Sequence, residues 1–206
     1  MARKLNGTSE YLERTASPVS GPPFTLACWF QSNSDSATQA LMSVYATGSA
    51  AQRWDLFAAG ATAGDPVAAS TVASLGSQAV SSTGYTVGRW HHGCAVFASA
   101  TDRRAFIDGG SKGTNSTSRI PSIPNRLRIG VNSNSQWANG CVAVPGLWNV
   151  ALNDEEVRLL GLGYHPRLIR PDALLFAPPL LKLTFLISGV VYAVVSVYGW
   201  IRQISD

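Results

Sequence analysis

The sequence predicts an all-β protein, an antiparallel sandwich or barrel, on three observations. Turn signals recur about every ten residues over most of the chain, as they do where short strands are joined by tight loops. The segments between them alternate with the period of two that a strand imposes on its side chains. The clearest segment, Gly88 to Gly113, reads as a hairpin, with Trp90, His92, Cys94 and Val96 on one face and His91, Gly93, Ala95 and Phe97 on the other. Ser99 to Asp102 is turn material, Arg104 to Ile107 resumes as a strand, and Asp108-Gly109-Gly110 supplies the positive φ of a tight turn.

From the N-terminus, Leu5 to Leu12 reads as a turn and a short strand, and Pro18 to Pro23 as a loop. Phe24 to Gln31 is apolar on both faces, which places it near the centre of a sheet. Ala40 to Ala46 and Arg53 to Ala59 repeat the pattern; Val67 to Leu75 and Gln78 to Thr83 are richer in Ala, Ser and Thr and read as edge strands. Beyond the hairpin come Arg126 to Val131, an Asn/Ser loop over 132–140, and Cys141 to Val150. Leu152 to Gly161 is the one clear helix: Asn153 caps it, Asp154, Glu155 and Glu156 lie at the positive end of its dipole, and Gly161 or Gly163 ends it. Trp29 and Trp90 are expected in the core.

With 206 residues, 46% of them hydrophobic, the chain can bury one sizeable core, so a single sandwich domain over residues 1–175 is expected, with an apolar segment over 176–206. The net charge of +4 is spread over scattered arginines such as Arg14, Arg53, Arg89 and Arg158, not gathered into the stripe that nucleic-acid recognition requires. No apolar run follows the basic residues of the N-terminus, so the chain is expected to be made in a cytoplasm without a signal peptide. Cys28, Cys94 and Cys141 each sit in an apolar strand pattern with no CxxC spacing, and read as small buried hydrophobes.

The order of Leu5 to Leu12, Phe24 to Phe30, Gly88 to His92, Phe106 to Gly109, Leu127 to Gly130 and Leu147 to Leu152 leading into Asp154 to Val157 resembles the concanavalin A-like lectin/glucanase superfamily. Its laminin G-like, pentraxin-like branch is the nearest in pattern, and the likeness covers roughly residues 3 to 165. The resemblance implies a jelly-roll sandwich of two antiparallel sheets closed at one end by the short helix. Members of that superfamily bind glycans, proteins or calcium, and some are hydrolases. A chain of this form is also similar to stand-alone laminin G-like proteins of phage and prophage regions.

Glycosidases on this fold need two carboxylates on one strand face, in an ExDxE or ExDxxE pattern. None of the 12 acidic residues forms one: Glu10 and Glu13 are three apart, and Asp102 and Asp108 lie in turns. An enzyme is therefore not expected. Gly109-Gly110-Ser111-Lys112-Gly113 satisfies GxSxG, but that motif works on a strand-to-helix turn and this one follows a hairpin turn. Adjacent His91 and His92 face opposite ways on a strand and cannot share a metal. The best candidate for binding is the loop carrying Asn132, Asn134, Gln136, Trp137 and Asn139, because an indole among amides offers a pyranose a flat apolar face and hydrogen-bond partners for its hydroxyls. The competing reading is a polar loop whose Trp137 caps the core. Too few carboxylates lie nearby to argue for calcium, and no metal or cofactor is expected.

Leu183 to Ile201 is 19 residues without a charge, flanked by Lys182 and Arg202. Its length suits a bilayer helix and a membrane contact, with Tyr198 and Trp200 at an interface, whereas its five valines and local alternation suit strands of the sandwich. The expectation is a non-catalytic module: a virion or surface structural protein held by protein partners or by copies of itself, or a carbohydrate-binding lectin, with no nucleic-acid partner.

Overall fold

The computed structural model of the protein describes residues 2–49, 51–64, 66–178, 184–187, 190–193 and 201–204. Two antiparallel sheets pack face to face. The first runs β1 (Ala2–Asn6), β12 (Asn139–Trp148), β3 (Phe24–Ser32), β8 (Trp90–Ser99), β9 (Asp102–Ile107) and β10 (Gly110–Asn115), with β13 (Leu174–Phe176) paired to the end of β12. The second runs β16 (Ile201–Ile204), β2 (Tyr11–Arg14), β11 (Arg126–Ile129), β4 (Gln39–Tyr45), β5 (Gln52–Ala58), β6 (Pro66–Ala73) and β7 (Leu75–Gly84). The architecture is the two-sheet sandwich expected. β1 and β10 were not anticipated, and of the two strands read as edges β6 lies inside its sheet while β7 is at an edge. β6 is hydrogen-bonded on both sides, to β5 and β7, a pairing that its Ala, Ser and Thr composition alone does not reveal.

The core follows from the alternation. Phe24, Leu26, Cys28 and Phe30 of β3 pack against Met42 and Val44 of β4 and Trp54 and Leu56 of β5, all almost fully buried. At one flank the two sheets meet. A Cβ on Gly113 of β10 would lie 1.6 Å from the carbonyl oxygen of Val80 on β7, so this glycine of the GxSxG match is what lets the edges touch. Ser111 of the same match sits at φ 46° where the β9–β10 register shifts, within a strand and not at a nucleophile elbow.

The outer face of the first sheet carries a second cluster. Helix α1 (Asp154–Gly161) lays Val157 and Leu160 over Val96, Phe106 and Trp148. Trp148 is fully buried and its Nε1 donates to the Ile169 carbonyl at 2.7 Å. Asn153 and Glu156 form a reciprocal capping box, and Gly163, at φ +94°, supplies the left-handed residue just beyond the C-cap Leu162. The helix covers only part of this face. That corrects the placement of Trp29 and Trp90: both point outward from the uncovered part, Trp29 half-buried with its ring 5.6 Å from that of His92, and Trp90 41% exposed.

Cys28 and Cys94 are buried, and burial pushes both thiols up; Cys141 is half-buried, and all three are free. Of the two readings of Leu183 to Ile201, the described residues take the strand one. β14 (Thr184–Ile187) pairs with β15 (Val190–Ala193), and β16, which begins at Ile201, pairs with β2. Residues 183, 188–189 and 194–200 of that stretch lie outside the described residues. Among the described residues no helix is long and apolar enough to cross a membrane.

Candidate functional site

The register of the second sheet assembles its outer face. Glu13 pairs with Arg128, Arg128 with Ser43, Ser43 with Asp55, Asp55 with Ser70, and Ser70 with Gln78. Directly opposed residues share a face, so a row of polar side chains crosses six strands. Each strand contributes through the same alternation that turns Leu12, Leu127, Met42 and Leu56 inward. No single strand shows the row, because its members are far apart in sequence.

Two tyrosines from flanking strands enclose the row's arginine. The Arg128 guanidinium lies 4.8 Å from the Tyr11 ring and 4.9 Å from the Tyr45 ring. Its Nε donates to Glu13 Oε2 at 2.6 Å, and the Tyr45 hydroxyl donates to the same oxygen at 3.1 Å. Trp137 extends the arrangement, with its ring centroid 5.7 Å from that of Tyr11 in an edge-on contact. Trp137 and Tyr11 are half-buried and keep part of their rings in solvent, whereas Tyr45 is buried. Beside Arg128 a shallow cleft of about 330 Å³ is lined by Tyr45, Thr47, Gly48, Ser49 and Ser133.

The five loop residues singled out in the sequence do not form one constellation. Asn132 is buried: its Oδ1 accepts from the amides of Asn134 and Gln136 at 2.9 and 3.2 Å, and its Nδ2 donates to Gln136 Oε1 at 2.7 Å. These bonds shape the loop. Asn134 is exposed at its tip. Asn139 begins β12, where its amide donates to Gln39 Oε1 at 2.7 Å and its side-chain oxygen accepts from Asn33 at 3.4 Å. Trp137 is the member joined to the aromatic row. Tyr11, Glu13, Tyr45 and Arg128 are not among the binding candidates that the sequence offers; the parity of polar residues within β2, β11 and β4 is the signal that points to them.

Asp55 lies under the loop, fully buried. Burial raises its carboxyl to about 6 against the opposing pull of the Arg53 guanidinium. Arg53 Nε reaches Oδ2 at 2.8 Å, while Oδ1 and the Ser43 hydroxyl are buried without a hydrogen-bond partner among the described residues. A catalytic pair is not formed here. Glu13 and Asp55 stand three strand spacings apart, about 14 Å, beyond the roughly 9.5 Å that glycoside hydrolysis spans. The helix carboxylates are occupied as expected: Asp154 by Lys112, Glu155 by Arg158, and Glu156 by the cap and Arg170.

His91 and Asp108 resemble a base and its orienting acid, at 2.8 Å. The other imidazole nitrogen, Nε2, accepts from the Thr86 amide at 3.0 Å, so Nδ1 carries the proton toward Asp108 and the ring is held as a structural brace. His92 is buried on the opposite face, and desolvation lowers it to about 4, so it is neutral. Among the described residues no group of three or more His, Cys, Asp or Glu side chains could hold a metal ion.

A family profile described as the Concanavalin A-like lectin/glucanases superfamily matches residues 6–158. No curated protein matches the chain. Among solved structures, the native heptameric SAP-like pentraxin from Limulus polyphemus superposes with a TM-score of 0.65 at 14% identity, covering 81% of this chain and 83% of that one. Domain 4 of AbnA, a GH43 extracellular arabinanase from Geobacillus stearothermophilus, in complex with arabinotriose, gives 0.64 at 14% identity, over 78% and 76%. The Ruminococcus gnavus IT-sialidase CBM40 bound to α2,3 sialyllactose gives 0.60 at 11% identity, over 78% and 98%. At these identities the likeness is one of fold.

Proposed function

This chain belongs to the concanavalin A-like lectin/glucanase superfamily, and from that premise we propose that it is a non-catalytic module that binds a glycan against the outer face of its second sheet. One observation carries the reading: the partly exposed rings of Trp137 and Tyr11 continue into Arg128, Glu13 and the adjoining cleft. Sugars bind through CH faces that stack on aromatic rings and hydroxyls that need fixed donors and acceptors, and this surface offers both within a few ångströms. Neighbours of the same fold hold arabinotriose and sialyllactose, which supports a saccharide as the ligand class.

A glycan-array screen of the protein tests this, with Trp137→Ala and Tyr11→Ala as site variants and Trp90→Ala, on the opposite sheet, as control. Binding lost in the first two and kept in the third is the expected result. Silence of the unaltered protein across the array would overturn the glycan reading and favour a structural module of a virion or surface assembly.

A further inference from the structure

The segment between β10 and β11 crosses the end of the sandwich as a strap tied at several points. The Arg119 amide donates to the Ala100 carbonyl at 3.0 Å, the Ser122 amide to Gln52 Oε1 at 2.7 Å, and the Asn125 amide to the Tyr45 carbonyl at 3.0 Å. Within Ile120-Pro121-Ser122-Ile123-Pro124 both prolines are buried, yet Ile120 and Ile123 are each 75% exposed. The usual order of burial is inverted: fixed prolines anchor the strap and hold two β-branched aliphatic side chains out in water. Leu75, 69% exposed, joins them at this end, because it follows the β6 end whose Ala73 pairs with Gln52. Behind these projections stand Arg119 and Arg126, whereas Arg53 is turned to the buried Asp55. The acids on this side are already engaged, Glu13 by Arg128 and, at 3.8 Å, by Arg126, and Asp102 by Arg104.

We propose that this end of the sandwich is a membrane-docking tip that inserts Ile120, Ile123 and Leu75 into an anionic phospholipid surface, with the arginines behind them facing the headgroups. The chemistry selects this occupant. An aliphatic side chain has neither a ring face nor a hydrogen-bonding group for a sugar. A second copy would bring the same basic end against itself, at a cost in like-charge repulsion. Side chains three-quarters exposed stand clear of their neighbours as separate projections, which a fluid acyl layer accommodates without a shape-matched groove, and arginines near the surface add electrostatic attraction to anionic lipid.

The test is co-sedimentation of the full-length protein with phosphatidylcholine vesicles, with and without phosphatidylserine, beside the Ile120→Ser/Ile123→Ser double variant and Leu75→Ser. These substitutions remove exposed groups and leave Trp137, Tyr11, Arg128 and residues 183–201 unchanged, so neither a glycan site nor the apolar C-terminal segment accounts for a difference. Expected is binding that requires phosphatidylserine, weakens with added salt, and falls roughly tenfold or more in the double variant. Equal partition of wild type and double variant, or no binding by the wild type, overturns the proposal. So does self-association of the wild type that the double variant loses, which would give the tip to a second copy.

Discussion

Gly109, in the turn between β9 and β10, lies backbone to backbone on Gly161, the last residue of α1. A Cβ on Gly161 would sit 2.4 Å from the Gly109 amide nitrogen and 2.7 Å from the Asp108 carbonyl carbon. Alanine at an ordinary helix position gains about 1 kcal/mol over glycine. Here the obstructing atoms are backbone and cannot swing aside, so Gly161→Ala should instead destabilise by about 1–3 kcal/mol. Urea denaturation of the two proteins decides the sign, and a stabilised variant would show that helix and turn part easily.

The outer-face tryptophans of the first sheet should differ from one another. Trp148 is fully buried and hydrogen-bonded, so Trp148→Ala is expected to cost about 3–5 kcal/mol. Trp90 is 41% exposed and should cost about 1 kcal/mol or less. Equal losses in chemical denaturation would mean that the uncovered part of this face is packed as tightly as the part under α1.

Asp55 makes stability depend on pH in the direction opposite to a salt-bridged acid. Its carboxyl stands at about 6 in the folded protein against an ordinary 3.8, because burial outweighs Arg53. The folded state therefore holds this proton more tightly than the unfolded chain does. Below about pH 4 both states are protonated and there is no penalty; stability from this group then falls as pH rises towards 6 and stays reduced above it, by an amount of order 3 kcal/mol. The difference between wild type and Asp55→Asn in urea midpoint should change between pH 4 and pH 7. A constant difference would assign the titration elsewhere.

A chain ending at Pro179 should fold and stay in solution. Among the residues whose burial is described, the core clusters end at Phe176, and β2, which loses its partner β16, carries Glu13 and Arg14, charges that blunt an open edge. Gel filtration and a thermal melt check this. Aggregation of the shortened chain beside a soluble full-length protein would place residues 180–206 among the essential parts of the sandwich.

The sequence by itself determined most of the elements, though not β1 or β10. Period-two alternation in Phe24 to Gln31 and Trp90 to Phe97 reports which residues share a face, and Asn153 with Glu156 writes out a helix start, because both signals are local. It also disposed of the nucleophile motif, since the residues after Gly113 carry no helical pattern. What alternation cannot say is which face lies inward along its whole length. Trp29 and Trp90 share the parity of Cys94 and Val96, and only the packed position of α1 decides that the latter are covered and the former are not. The same limit hid the proposed binding face. Tyr11, Arg128, Tyr45 and Trp137 belong to three strands and a loop spread over more than a hundred residues, and they meet because the register of β2, β11 and β4 aligns them. The hydrogen bonds that turned Asn132 into a loop brace were equally out of reach, since an amide in a sequence looks the same whether its partners are a sugar or its own backbone.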